Sequence, residues 1–209
     1  MLATVRMRAV RSTASRTRRP RRGTPAATRA RLVATAAGVF NRSGYHGTDS
    51  NRIARAAGYA PGTFYKHFRD KRAILLAAYA EWVTAEWQAI DEELRGGGGR
   101  ESVATRIVAL VLRLHRRWRG LRASLLGLAA TDHSVRRFYH AQRRRQLRML
   151  HDLRTRAGRP PRAPEDDAVL LFTLERVGDA IANGELRALG LRRNATVDLL
   201  RDLVRRYLG

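Results

Sequence analysis

No cysteine occurs among the 209 residues, which excludes disulfide frameworks, thiolate metal sites and cysteine nucleophiles. Acidic side chains are scarce: 18 Asp and Glu stand against 42 Lys and Arg, for a formal net charge of +24. No stretch approaches the roughly 20 consecutive apolar residues that a membrane helix requires, and no apolar segment of the secretory type is present. Catalytic signatures are also missing. There is no His-Glu-x-x-His pair, no Gly-x-Ser-x-Gly and no Gly-x-Gly-x-x-Gly, and His115, His133, His140 and His151 are scattered along the chain. Gly96 to Gly99 lack the following Gly-Lys-Ser/Thr of a phosphate-binding loop and read as a flexible connection. A non-enzymatic protein without metal or cofactor is expected.

What remains is 44% hydrophobic, enough to build a core in one or two domains, so a soluble, cytoplasmic globular protein is expected. Its charge is uneven. Residues 1–31 carry ten arginines and no acid, and residues 1–80 carry a net charge of +15. Such a field favours a polyanion. Residues 1–24 lack apolar periodicity and read as a disordered basic arm. One functional reading of that arm is that it follows a DNA backbone or enters a minor groove.

Thr28 can cap a first helix, whose apolar positions Leu32, Val33, Ala36, Ala37 and Phe40 recur at helical spacing and stop at Gly44. Thr48 can cap a short second helix burying Ile53, Ala54 and Ala57, and Gly58 suits a sharp turn in the left-handed region. Pro61 then fits the first position of a third helix that carries Phe64 and Phe68 inward. Two short helices around a tight glycine turn form a helix-turn-helix over 49–68. Its outer face would present Gly62, Thr63, Tyr65, Lys66 and His67, a small, hydroxyl, aromatic and basic mixture suited to a major groove. Lys71 and Arg72 fall in the first turn of the next helix, where the dipole disfavours cations by roughly 0.3 to 1 kcal/mol each, a penalty that a DNA phosphate would reverse.

The stretch from Leu32 to Leu76 contains AGVF, GYHGT, IARAAGYAPGTFYKHFRDK and AILLAAY in order, and resembles the N-terminal domain of TetR-type transcriptional regulators. Ser50, Tyr59 and Ala60 depart from the residues common in that family. The resemblance implies that Thr48, Ser50, Asn51, Tyr65 and Lys71 contact phosphates, while Pro61, Gly62, Thr63, Lys66 and His67 approach bases or nearby backbone. It also implies an all-α fold, with the N-terminal helix-turn-helix domain at 25–72 and a C-terminal helical bundle for ligand binding and dimerisation at 73–209. The final two long helices, 165–183 and 196–208, would form the homodimer interface.

The remaining pattern predicts helices from Asp70 to Leu94, Glu101 to Arg119, Leu121 to Ala130, Ser134 to Ala157, Glu165 to Asn183 and Thr196 to Leu208, with Gly120 among the breakers. Trp82, Trp87, Trp118, Tyr139 and Phe172, along with Phe138, could surround one cavity, with His115, Glu175 and Asp179 as polar orienters. A hydrophobic or aromatic effector would suit such a lining. Glu165, Asp166 and Asp167 read as stabilisers of a helix N-terminus. The expected function is a dimeric, ligand-released repressor on a palindromic double-stranded DNA operator. The alternative is a sequence-independent nucleic-acid binder that uses the arginine-rich arm.

Overall fold

The computed structural model describes residues 23–156, 158, 160 and 162–209, and the expected basic arm lies outside these apart from Gly23 and Thr24. Ten helices occur among the described residues, and no strands. They are α1 (Pro25–Ser43), α2 (Ser50–Ala56), α3 (Pro61–Tyr65), α4 (Lys71–Arg95), α5 (Arg100–Arg117), α6 (Arg119–Thr131), α7 (His133–Arg156), α8 (Pro164–Asn183), α9 (Glu185–Ala188) and α10 (Arg193–Leu208). None of them is long and apolar enough to cross a membrane.

The helix starts correct the sequence reading in two places. The cap of α1 is Thr24, whose Oγ1 accepts from the Ala27 N–H at 3.2 Å, and Pro25 follows at the first helical position. Thr28 instead lies on the buried face, one turn further in. The cap of α2 is Asp49, whose carboxylate accepts from the Arg52 N–H at 2.7 Å, whereas Thr48 is buried just before it. Asp70 caps α4 in the same way through the Ala73 N–H at 2.6 Å. Gly58 turns the chain between α2 and α3 at φ +84°, as the short turn requires.

Gly120 does not break a helix. It lies inside α6, and α5 and α6 meet two residues earlier, at Trp118. The helix pair α1 and α6 packs so closely there that a Cβ on Gly120 would lie 2.1 Å from the Asn41 carbonyl oxygen. The short α9 has no counterpart in the sequence reading, and α10 starts three residues before the expected Thr196.

Two apolar cores form among the described residues. The first runs without interruption from α1 through α2, α3 and α4 to α6 and α7, and it includes Phe40, Ile53, Phe64, Phe68, Ile74, Tyr79, Leu121 and Leu125. The second joins α5, α8 and α10 through Val103, Ile107, Val111, Leu170, Leu200 and Val204. Ile90, Leu94 and Leu150 pack against both. At about 1.5 Å per residue, the 25 residues of α4 extend roughly 37 Å from the helix-turn-helix to this seam.

Candidate DNA interface and ligand cavity

Phe64 and Phe68 anchor α3 in the core, and this turns the opposite face outward. Tyr65 is 56% exposed, Gly62 and Lys66 are exposed, and Pro61, Thr63 and His67 are half-buried. The Cα of Gly62 faces open space, so its backbone can be approached closely. Ala60 offers no side-chain cap to α3, leaving that helix start without a protein acceptor from the capping position.

On α2 the expected contacts divide. Asn51 is exposed, while Thr48 and Ser50 are buried, and the Thr48 hydroxyl has no contact with solvent. Arg52 and Arg55 are exposed on the same helix, and Arg69 is exposed beyond α3. These three cations were missed because their spacing alone does not place them beside α3. Lys71 is half-buried and makes contacts within the protein. Its Nζ donates to the carbonyls of Tyr45 and Thr48, each at 2.8 Å, and sits 4.1 Å from the centre of the Tyr45 ring. It fastens the α1–α2 loop to the start of α4. Arg72 pairs with Asp132 at 2.7 Å, joining the start of α4 to the α6–α7 junction.

At the seam between the two cores lies a cavity of about 70 Å³. Its walls are mostly aliphatic, with Ile90 and Leu94 from α4, Val111 from α5, Leu150 from α7, Leu170 from α8 and Val204 from α10. Of the expected ligand residues, Trp87, His115 and Glu175 border it. The others do not. Trp82 is buried one layer behind, with the Arg122 guanidinium 5.1 Å from its ring centre, and Trp118 is half-buried at the α5–α6 junction. Tyr139 hydrogen-bonds Arg143, Phe138 packs near Tyr79, and Phe172 is 50% exposed on the outer face of α8. The reason is rotational: helical spacing groups the aromatics by face, but the packing of α5, α8 and α10 turns aliphatic faces to the void. Next to the cavity, and sharing Leu94, Leu150, Leu153, Tyr207 and Leu208 with it, is a cleft of about 170 Å³ that includes Arg100 and Arg154.

A buried ionic cluster closes one end. Arg122 donates to both oxygens of Asp179, at 2.9 and 2.8 Å, and His115 Nδ1 meets Asp179 Oδ1 at 2.9 Å. Arg143 pairs with Glu175, and Gln146 donates to the other Glu175 oxygen at 3.4 Å. Burial alone would raise the Asp179 carboxyl, but hydrogen bonds from His115 and Arg122 hold it well below the usual range. Burial lowers His115 and keeps its ring neutral, against the pull of Asp179. Burial pushes Glu86, on the cavity wall, up to about 8. No group of three or more His, Asp or Glu side chains among the described residues is arranged to hold a metal ion.

Residues 32–78 match the family model of the bacterial regulatory proteins of the tetR family. The fatty acid metabolism regulator protein of Bacillus subtilis (strain 168) is 28% identical over 104 residues, covering 50% of this chain and 46% of that protein. The chain therefore spans about half the length of that relative. The fatty acid degradation regulator FadR of Bacillus halodurans aligns with a TM-score of 0.65 at 19% identity, over 89% of this chain and 97% of the other. FadR of Bacillus subtilis in complex with stearoyl-CoA aligns with a TM-score of 0.61 at 20% identity, over 82% and 96%. At these identities the structural likeness is one of fold.

Proposed function

We propose, from the premise that this chain is a TetR-type bacterial transcriptional regulator, that it is a dimeric repressor released from a palindromic operator by an apolar, chain-like effector. The observation that carries the reading is the shared use of α4. Its first turns belong to the helix-turn-helix core and its last turns wall the cavity, so one rigid element touches both sites.

Two copies of α3 would enter successive major grooves roughly 34 to 36 Å apart. Tyr65, Lys66, Asn51, Arg52 and Arg55 would meet phosphates, with Pro61, Gly62, Thr63 and His67 nearest the bases. Thr48 and Ser50 would contribute through their backbone, and Lys71 by holding the α1–α2 loop. The dimer face would be built from α8 and α10, where Val169, Phe172 and Leu199 are 59%, 50% and 68% exposed.

An aliphatic lining suits a hydrocarbon chain better than an aromatic plate, and the stearoyl-CoA held by the B. subtilis neighbour favours a fatty acyl compound. The exposed Arg100, at the adjoining cleft, would attract an anionic head outside the cavity. Filling the cavity would move the last turns of α4 against α5 and α8 and change the separation of the two recognition helices. A hundredfold preference of the effector for the non-binding spacing corresponds to about 2.7 kcal/mol, and DNA must then weaken effector binding equally.

The test is a selection of bound genomic fragments with the purified protein at about 150 mM salt, where purely electrostatic binding is suppressed. A shared palindrome, released on adding an acyl compound, supports the proposal. Recovery of no common site overturns the fixed-operator reading. Loss of all binding on deleting residues 1–24 would favour sequence-independent binding through the arm.

A further inference from the structure

We infer that the end of the cavity bordered by His115 and Glu86 is a built subsite for a neutral group that both donates and accepts a hydrogen bond, a hydroxyl or un-ionised carboxyl carried on an apolar chain. The inference rests on the reading that the cavity is the effector site.

The geometry begins with His115. Its ring is 1% exposed, and Nδ1 is occupied by Asp179, a carboxylate that can only accept, so the proton of the neutral ring lies on Nδ1. Nε2 is left as an acceptor, buried and without a hydrogen-bond partner. Nor can the ring turn away easily. It lies against the α8 backbone at Gly178, where a Cβ would fall 2.9 Å from Nδ1. A buried acceptor whose ring is fixed by Asp179 and by Gly178, and which has no partner of its own among the described residues, calls for a donor.

Glu86 supplies the complement. It is 5% exposed on the same cavity wall, and its Oε1 is 3.8 Å from His115 Nε2, too far for a direct hydrogen bond. With its pKa pushed up to about 8 by burial, the carboxyl carries a proton at neutral pH and can donate. One oxygen placed beside both residues would accept from Glu86 and donate to Nε2.

The surrounding charges decide against ions. The guanidiniums of Arg122 and Arg143 are already paired, with Asp179 and with Glu175. Neither arginine is on the cavity wall, so an entering carboxylate ion would meet no cation among the described lining residues and would face Glu86 and Glu175. Between this end and Leu94 the walls are aliphatic, the lining that a chain carrying the group would meet.

The test uses the full-length chain and four eight-carbon probes, followed by the tryptophan emission that Trp82 and Trp87 supply beside the site. 1-Octanol both donates and accepts, heptyl methyl ether has the same atoms but only accepts, octanoic acid is titrated across its ionisation, and octylammonium is a cation. Expected is about tenfold tighter binding of octanol than of the ether, the effect of one buried hydrogen-bond pair. Glu86→Leu and His115→Phe should bring the two within about twofold, and Glu86→Gln should keep the preference. Octanoic acid should show a Glu86- and His115-dependent gain only in its un-ionised form, ionised octanoate with its head toward Arg100 being indifferent to Glu86→Leu, and the ratio of the un-ionised acid to octanol identifies which head group fits better. Equal binding of octanol and ether to the unaltered protein overturns the subsite and leaves the cavity reading standing. Binding of none of the probes overturns both. Tighter binding of octylammonium than of octanol overturns a neutral subsite. If the variants fail to fold, the comparison on the unaltered protein decides alone.

Discussion

Asn41 and Gly120 lock α1 to α6. The Asn41 side-chain oxygen accepts from the backbone N–H groups of Gly120 at 2.9 Å and Leu121 at 3.2 Å, and its amide donates to the Arg117 carbonyl at 2.8 Å. One residue of α1 thus satisfies the end of α5 and the start of α6 together, groups that a helix junction otherwise leaves without partners. Any movement of α5 and α6 around the cavity is felt at the base of the DNA-reading unit.

Asn41→Ala should therefore lower stability by about 1 to 2 kcal/mol, the range for a lost cap. Urea unfolding measures this. In operator-release titrations the same variant should need more effector for half-release, because the contact between α1 and α6 is weakened. Unchanged stability and unchanged release together would remove Asn41 from the coupling.

Tyr65 and Lys71 should separate under mutation, although both precede or open α4. Tyr65→Ala removes an exposed side chain, so the melting temperature should hold while operator affinity falls about tenfold or more. Lys71→Ala removes two charge-assisted hydrogen bonds and the contact with the Tyr45 ring, so both stability and affinity should fall. Lys66→Ala should reduce the salt slope of binding by about one. Thermal melts beside binding curves at several salt concentrations distinguish the three.

Leu199→Glu and Phe172→Glu place a charge on the exposed apolar face of α10 and α8. Each should convert a dimer to a monomer in light scattering at micromolar concentration while leaving helical circular dichroism intact. Operator affinity should drop more steeply than for a single lost contact, since a monomer reaches only one half-site. Persistence of the dimer in both variants would remove this face as the interface.

Glu86 makes stability depend on pH in a direction unusual for a carboxylate. Its folded pKa of about 8 stands above the unfolded value, so between roughly pH 4.5 and 8 the folded state holds a proton that the unfolded state has lost. Stability supplied by this group is complete below about pH 4.5 and is lost as the pH rises through 8. Glu86→Gln removes the titration, so its melting temperature should gain on that of the unaltered chain as pH rises from about 5 to 8. A difference that is flat with pH would show that Glu86 is ionised in the folded protein.

The helix-turn-helix was legible because its signals are local: Gly58, Pro61 and the Phe64–Phe68 pair each impose geometry on their own neighbours. The caps were harder. Thr24 and Thr28 are equally good candidates by type, and only the side that α1 buries decides between them. The cavity was read one layer out. Aromatic residues drew attention, but the lining depends on how α5, α8 and α10 rotate against one another, a tertiary choice that places Val111, Leu150 and Val204 at the void. Arg122 and Arg143 do not stand out by type in an arginine-rich chain. The available hint was the pair Glu175 and Asp179, one helical turn apart among the apolar residues of α8.

The buried ionic cluster also bears on the order in which α4 to α8 can assemble. Its members come from five helices: Glu86 from α4, His115 from α5, Arg122 from α6, Arg143 from α7, and Glu175 with Asp179 from α8. A partly folded chain that buried Arg122 before α8 arrived would hold an uncompensated charge in a dry interior, at a cost of several kcal/mol. Partial structures are thereby disfavoured, and α4 to α8 should unfold as one cooperative block whose amide hydrogens exchange together.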